Sequence, residues 1–347
     1  MQNQNQSRGS VEGLSPSVKN KKKRERKMSK IVILGAGHVG VLCAMNLAYS
    51  SICREIVLID VEKEKADAQA KDVADATAFL PRQTVIRAGE YSDLDDADIL
   101  VNAVGISRRP GQTRLDMLDF SVDIMDEVIK NMKQTKFQGI IISISNPCDV
   151  IAQYFRVQYE YPAEKIFGTG TSLDTARLRR TISELAGVDM KSVTCYALGE
   201  HGDSSMVPMS QIRIGGEKLL KLQKENPDRF GNITRELLED RTHQIGMEIV
   251  IGKGSTEFGI GAAVADLCKA VLYDEHRVLP VSTVLNGEYN QTGLMIGVPA
   301  LIGRNGVEMI LELPLTDEEQ AALNHSCDIV REYNEKARKR HEYNIKK

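Results

Sequence analysis

One segment near the start of the chain limits the possible folds more than any other. A short apolar run, KIVIL, enters a glycine-rich turn, GAGHVG, and continues as VLCAMNLAYS with helical spacing. The glycines Gly35, Gly37 and Gly40 have the GxGxxG spacing of a dinucleotide-binding turn. In that turn the first glycine permits a tight bend, the second lets the backbone approach a pyrophosphate, and the third lets helix and strand pack closely. The strand, turn and helix together predict a nucleotide site at a helix N-terminus.

An acidic residue lies at the position that this interpretation requires. Asp60 ends the next apolar run, REIVLID, twenty residues after Gly40. A carboxylate there accepts hydrogen bonds from the ribose hydroxyls and repels the 2′-phosphate of NADP. The sequence therefore predicts NAD as the cofactor.

Strand and helix patterns alternate after this segment, which predicts an α/β fold. The amphipathic EKEKADAQAKDVADATAFL, the apolar DADILVNAVG, a further helix and the apolar GIIISISNP follow in turn, and this βαβ rhythm requires a parallel sheet. We predict a doubly wound Rossmann domain over residues 29–147. The mixed pattern of residues 148–347, with hairpin-like stretches and a closing helix that begins with a capping box at Thr316 and Glu319, predicts an α+β catalytic domain.

The first 28 residues differ in composition from the rest. Residues 1–28 are rich in Gln, Asn, Ser and Lys and end in the basic run KKKRERK, so we expect a disordered tail, with Met28 as a second candidate start. The whole chain has 45 basic and 48 acidic side chains, a balance that gives no reason to expect nucleic acid as a partner. No apolar run reaches the roughly 18 residues of a membrane helix. Six isolated cysteines predict reduced thiols in a cytoplasmic protein.

Two titratable residues beyond the first domain are candidates for catalysis. His201 is flanked by glycines on a loop that follows an apolar strand, and an imidazole can both donate and accept a proton near neutral pH. Asp174 lies at a predicted helix N-terminus, where the helix dipole alone would favour an acid. The other interpretation is that Asp174 accepts the Nδ1 proton of His201 and stabilises the imidazolium.

Six motifs, in order, resemble those of the lactate and malate dehydrogenase superfamily: GAGHVG, PGQTRLDML, ISNPCDVI, GTGTSLDTARLRR, YALGEHGDSS and KGSTEFGIGAA. The similarity is strongest to the L-lactate and L-2-hydroxyisocaproate dehydrogenase branches and covers about residues 29–340. It implies a Rossmann domain followed by the catalytic domain of that family. It also implies hydride transfer between NAD and a small 2-hydroxy or 2-oxo acid.

The resemblance assigns a role to each matching residue. His201 corresponds to the proton donor and acceptor, and Asp174 to its carboxylate partner. Arg177 corresponds to the arginine that holds the substrate carboxylate in two-pronged geometry. Arg114 corresponds to the arginine on the lid that polarises the reacting carbonyl, and Asn146 to the asparagine beside the carbonyl and the nicotinamide.

The remaining site predictions follow from the same match. Thr256 is expected in the wall of the substrate pocket. The residues expected to contact NAD are Gly35, Gly37, His38, Val39, Gly40, Asp60, Gly105 and Asn146. No metal site is expected.

The residues around the lid leave the substrate open. Arg108 stands six residues before Arg114, where lactate dehydrogenases usually have glutamine and malate dehydrogenases arginine, and a second cation there favours a dicarboxylate such as oxaloacetate. Alternatively, Arg108 or its neighbour Arg109 points into solvent. Gln112, Thr113 and Thr256 instead resemble the lactate branch. We therefore place lactate first, malate second and a branched 2-hydroxy acid third.

Assembly and regulation are also implied by the resemblance. The helix at 62–80 resembles the subunit-contact helix of the family, which implies a homodimer or homotetramer. Many bacterial lactate dehydrogenases bind an activating sugar bisphosphate through an arginine and a histidine. Arg179 matches that arginine, but Thr194 stands at the histidine position, which argues against activation by this ligand.

Two other classes share the cofactor fold. An NAD- and metal-dependent glycosidase would need a cysteine and a histidine at a divalent-metal site, whereas this chain supplies Asp174, Arg177 and His201. A non-catalytic NAD-binding protein would be expected to lack His201 or Arg177, and both are present.

Overall fold

The computed structural model describes residues 29–105 and 114–346, and at positions 114–116 it describes the backbone alone. The predicted tail at 1–28 and the lid residues Arg108, Arg109, Gln112 and Thr113 lie outside the described residues, as does the side chain of Arg114. Within the described part of the chain, no helix has both the length and the apolar character that crossing a membrane requires.

The described residues form strands and helices in the alternating order that the sequence predicts. The strands are β1 (Lys30–Leu34), β2 (Glu55–Ile59), β3 (Val85–Ala88), β4 (Ile99–Asn102), β5 (Ile140–Ser143), β6 (Ile166–Gly168), β7 (Val193–Thr194), β8 (Arg213–Ile214), β9 (Glu217–Lys218), β10 (Arg277–Asn286), β11 (Thr292–Gly303) and β12 (Gly306–Ile310). The helices are α1 (His38–Ser50), α2 (Lys63–Thr77), α3 (Arg114–Met132), α4 (Cys148–Tyr159), α5 (Ser172–Ala186), α6 (Leu219–Glu225), α7 (Pro227–Phe230), α8 (Arg235–Lys253), α9 (Phe258–Tyr273) and α10 (Asp317–Ile345).

The main sheet confirms the predicted Rossmann fold. Its order is β12-β11-β10-β6-β5-β4-β1-β2-β3, and the strands from β6 to β3 pair in parallel. The order 3-2-1-4-5-6 is that of a doubly wound dinucleotide-binding sheet. Strands β10, β11 and β12 join this sheet at β6 in antiparallel pairing. The predicted hairpin is therefore present as the β10–β11 pair.

Burial on both faces of the sheet explains why its parallel strands are uniformly apolar. All five residues of β1 are buried. Val32 and Leu34 pack into a core cluster with residues of α3, α4 and α10, whereas Ile31 and Ile33 pack into another with residues of α1, α2 and α9. Because alternate side chains point to opposite faces, a strand between two helical layers needs apolar residues at every position.

The sheet continues past residue 147, where we place the domain boundary. Its sixth parallel strand, β6, follows α4 because a crossover helix must separate two parallel neighbours. A second, smaller sheet of order β7-β8-β9 packs with α5 and α8 around a separate cluster that includes Leu178, Ile182 and Leu238. The division at 147/148 stays a prediction.

Two helix predictions can be compared directly with the structure. The helix expected at 62–80 is α2, and it ends at Thr77. The capping box expected at the start of the last helix is present, since Thr316 accepts from the N–H of Glu319 and the Glu319 side chain accepts from the N–H of Thr316. That prediction is confirmed.

Candidate active site

The glycine turn after β1 combines two crowded positions with one open position. Gly35 has φ +97°, and a Cβ on it would lie 2.6 Å from the carbonyl oxygen of Ala103. A Cβ on Gly40 would lie 1.9 Å from the carbonyl oxygen of Gly35, so neither position accepts a side chain. A Cβ on Gly37 would meet no atom within 4 Å. The open space at Gly37, at the N-terminus of α1, is therefore where a pyrophosphate can approach the backbone.

Asp60 joins this turn to the end of β2. Its carboxylate accepts the N–H of Ala36 at 2.7 Å and the N–H of Glu62 at 3.0 Å. Each carboxylate oxygen has two lone pairs, so acceptor capacity remains for ribose hydroxyls. The turn and Asp60 together fit an NAD molecule bound across the carboxyl ends of the parallel strands.

The other residues expected to contact NAD lie along the same edge of the sheet. His38 is exposed at the first position of α1, and Val39 beside it packs against the core. Gly105 and Asn146 are exposed and follow β4 and β5, whose carboxyl ends point the same way as that of β1. The backbone carbonyl oxygen of Asn146 accepts from the hydroxyl of Ser121 at 2.9 Å. The edge therefore presents one continuous row of predicted cofactor contacts.

The structure brings His201, Asp174 and Arg177 together. Oδ2 of Asp174 lies 2.7 Å from Nδ1 of His201, and Oδ1 lies 3.2 Å from a terminal nitrogen of Arg177. Asp174 is in the first turn of α5 and its side chain is 8% exposed, whereas that of His201 is 21% exposed. Because a carboxylate only accepts, Nδ1 carries the proton in this bond, and Nε2 is the nitrogen left for chemistry with a substrate.

The loop that carries His201 is held from several sides. Leu198 and Met206 pair across its base, and Gly199, at φ +99°, pairs with Gly297 on β11. The N–H of Glu200 donates to the hydroxyl of Ser326 on α10 at 2.8 Å. The loop is thus fastened to the main sheet and to the last helix before it reaches His201.

One buried residue of this site has no role in the sequence prediction. Asp149, in the first turn of α4, accepts the backbone N–H of His201 at 2.8 Å and is 2% exposed. Burial raises the pKa of Asp149 to about 6, and the hydroxyl of Ser282 and the N–H of His201 oppose this rise. The sequence signal was an acid within the otherwise apolar start of a helix, CDVIA.

A glycine on α8 is the second residue that the sequence prediction missed. A Cβ on Gly246 would lie 3.0 Å from a terminal nitrogen of Arg177, so the guanidinium packs directly on the α8 backbone. Glycine in a helix interior costs about 1 kcal/mol relative to alanine, and that unexplained cost was the available signal. Thr256 lies partly buried in the turn between α8 and α9.

The structure also describes the residues considered for activation and metal binding. Thr194 is exposed on β7, and Arg179 is on α5, two residues beyond Arg177. Within residues 29–105 and 114–346, one group of three potential metal ligands occurs, Asp274, His276 and Glu308, at the surface. This group contains no cysteine and does not include His201. All six cysteines are buried and free.

Comparison with known proteins identifies the family. The model of the lactate/malate dehydrogenase NAD-binding domain matches residues 29–168, and that of the lactate/malate dehydrogenase α/β C-terminal domain matches residues 171–340. The chain belongs to the lactate/malate dehydrogenase family. It is accordingly an NAD-dependent dehydrogenase that acts on a CH–OH group.

This chain is similar to members of the family over nearly their whole length. The chain is 40% identical to L-lactate dehydrogenase 1 of Bifidobacterium longum over 305 residues, which is 88% of this chain and 96% of the relative. It is also 40% identical to L-lactate dehydrogenase 3 of Bacillus anthracis over 309 residues, 89% of this chain and 98% of the relative.

Solved structures agree with the sequence relatives. The ligand-bound minor L-lactate dehydrogenase of Enterococcus mundtii matches with a TM-score of 0.86 at 34% identity, covering 89% of this chain and 98% of that one. The lactate dehydrogenase of Cryptosporidium parvum, solved with lactic acid and nicotinamide adenine dinucleotide, matches with a TM-score of 0.84 at 28% identity, covering 90% and 98%.

Proposed function

We propose that this protein is an L-lactate dehydrogenase that interconverts pyruvate and L-lactate, with His201 as the acid and base. The observation that carries the reaction type is the buried Asp174 carboxylate, which bonds the imidazole of His201 and the guanidinium of Arg177 at once. This arrangement places a proton carrier beside a cation that can hold a carboxylate, as a 2-oxo acid requires. The choice of lactate rests on the relatives named L-lactate dehydrogenase and on Thr256.

Each residue has a defined task in the reducing direction. Arg177 binds the substrate carboxylate through two parallel hydrogen bonds and so orients the adjacent carbonyl. His201, protonated and held at Nδ1 by Asp174, donates the Nε2 proton to the carbonyl oxygen. Arg114, at the start of α3, stabilises the negative charge that develops on that oxygen, and the lid that the resemblance implies excludes water. NADH, when bound, supplies the hydride.

Malate is the second candidate, and Arg108 is the observation that favours it. A second arginine on the lid can pair with the distal carboxylate of oxaloacetate, whereas facing the methyl group of pyruvate it would lose its hydration without a partner. A branched 2-hydroxy acid is the third candidate.

The deciding assay compares three substrates. NADH oxidation is followed with pyruvate, oxaloacetate and 2-oxoisocaproate, and kcat/KM is determined for each. We expect pyruvate to have the highest kcat/KM. If oxaloacetate exceeds it by orders of magnitude and Arg108→Gln reverses that order, the enzyme is a malate dehydrogenase. If no 2-oxo acid is reduced, the proposal is wrong.

We also propose that the protein assembles as a homodimer or homotetramer. Large apolar side chains are exposed along the second half of α8 and at the start of α9, including Ile251 at 79% and Phe258 at 68%. Phe79, just past α2, is 91% exposed. Such apolar surface is typical of subunit interfaces. Light scattering after size exclusion should give a multiple of 38.5 kDa, and Ile251→Glu should lower it; a monomeric wild type would refute the assembly.

The cytoplasm is the compartment that we propose. Free thiols persist in reducing compartments, and all six cysteines are unpaired. Cell fractionation tests this proposal, since recovery of the protein outside the cytoplasm would contradict it.

A further inference from the structure

We propose that Asp149 is a positioning residue for the proton transfer by His201: it holds the main chain of His201 so that the imidazole has a single location. This inference rests on the proposed role of His201 as the acid and base. It concerns a residue that contacts neither the imidazole ring nor, in the proposed mechanism, the substrate.

The contact between Asp149 and His201 is direct and buried. Oδ2 of Asp149 accepts the N–H of His201 at 2.8 Å, within the range of charge-assisted hydrogen bonds. Its own helix is firmly packed, since the flanking Cys148, Val150 and Ile151 are all at most 2% exposed. A carboxylate on such a firmly packed helix can hold the backbone of His201 in place.

The two carboxylates restrain different parts of His201. Asp174, on α5, holds the ring at Nδ1, whereas Asp149, on α4, holds the backbone nitrogen. One hydrogen bond at Nδ1 still lets the ring pivot with its main chain, and the second bond removes that freedom. Proton donation at Nε2 requires the reacting atoms to be aligned, and a displacement of about 1 Å can cost about 100-fold in rate.

The position of Asp149 also connects the two sides of the site. It lies three residues after Asn146, which we place beside the nicotinamide. The bond to His201 therefore spans from the segment that ends β5 to the catalytic loop, 52 residues apart in sequence. A shared anchor of this kind keeps the proton carrier and the cofactor edge in one geometry.

The cost of burying a carboxylate argues for this role. A fully buried acid loses its hydration, and an apolar residue of similar shape at such a position is often neutral or stabilising. Packing alone therefore gives no reason for an acid at this position. An ionised Asp149 also attracts a protonated His201, which favours the charge state that donates the proton.

The test compares variants that remove the acceptor with one that keeps it. Asp149→Leu and Asp149→Ala remove the acceptor, and the first keeps a branched side chain that fills the space. We expect both to lower kcat for 2-oxo acid reduction by 10- to 100-fold while the Kd for NADH stays within twofold. Asp149→Asn keeps an oxygen that can accept from His201, so it should retain kcat within about fivefold of the wild type.

Glu319→Ala is the matched control. Glu319 is also a buried acid in the predicted domain of residues 148–347, and it accepts the backbone N–H groups of Ser210 and Thr316. Its loss should lower stability while kcat stays within twofold of the wild type.

Three results would overturn parts of this account, and they are distinguishable. If Asp149→Leu and Asp149→Ala keep kcat within twofold, Asp149 does not position His201. If Glu319→Ala loses as much kcat as they do, the losses reflect general destabilisation and the inference fails. If the wild type reduces no 2-oxo acid, the proposed function itself is wrong.

Discussion

Replacing Asp174 with asparagine isolates the charge that this carboxylate provides to His201. The substitution keeps the shape of the side chain but removes the negative charge 2.7 Å from Nδ1 and 3.2 Å from Arg177. Two unit charges about 4 Å apart interact by about 4 kcal/mol at an effective dielectric constant of about 20. The imidazolium is the reactive form in pyruvate reduction, so losing this interaction should lower kcat/KM by about 1000-fold.

The assay measures NADH oxidation with pyruvate at saturating NADH, together with NADH binding by fluorescence. NADH binding should stay within about threefold of the wild type, since Asp174 is not among the residues expected to contact NAD. Asp266→Asn is a suitable control because it removes a carboxylate from another Asp–Arg pair, with Arg277, that lies outside the site. Its kcat/KM should stay within twofold.

An Asp174→Asn variant that keeps its activity would contradict the role of this carboxylate. If Asp174→Asn retains kcat/KM within tenfold of the wild type while NADH binds normally, the carboxylate does not stabilise the imidazolium. A loss confined to KM would instead indicate that its contact with Arg177 is the one that matters.

Further substitutions test the arginine that binds the substrate carboxylate, the cofactor turn and the buried Asp149. Arg177→Lys should raise the KM for the 2-oxo acid by 10- to 100-fold, because an ammonium cannot make two parallel bonds to a carboxylate; an unchanged KM would place the substrate carboxylate elsewhere. Gly37→Ala should weaken NADH binding at least tenfold with little change in Tm, whereas Gly40→Ala should lower Tm because its Cβ would lie 1.9 Å from a carbonyl oxygen; calorimetry and fluorescence titration separate the two. Burial, with a smaller contribution from Glu200, raises the pKa of Asp149 from 3.8 to about 6 against the opposing effect of His201. The protonated acid is therefore favoured in the folded state, which loses stability as pH rises from about 4 to 6. Asp149→Asn removes this loss and should be more stable than the wild type above pH 6 by up to about 3 kcal/mol, and equal urea midpoints at pH 7.5 would contradict the shift.

Much of the first domain could be predicted because its signals are local. The glycine turn needs residues within a few positions of one another, and apolar runs of four or five residues identify strands buried on both faces. The capping box at Thr316 and Glu319 is likewise contained in four residues. Such features are readable because short-range sterics and hydrogen bonding decide them.

The resemblance of the motifs named His201, Asp174 and Arg177 as site residues, and the structure brings the three together. That cluster joins α5 to a loop 27 residues further along the chain, and no local pattern indicates its distances. The choice between pyruvate and oxaloacetate likewise depends on whether Arg108 contacts the substrate, which no local pattern specifies.

The sequence by itself determined the Rossmann fold, the NAD turn and the residue types of the candidate catalytic cluster. Only the tertiary structure showed that Asp149 accepts the backbone N–H of His201 and that Gly246, which has no side chain, lets the Arg177 guanidinium pack on α8. The physical reason is that these contacts join residues 52 and more positions apart. The role of a buried acid in one helix, or of a glycine in another, can be assigned only when the packing shows which group lies beside it.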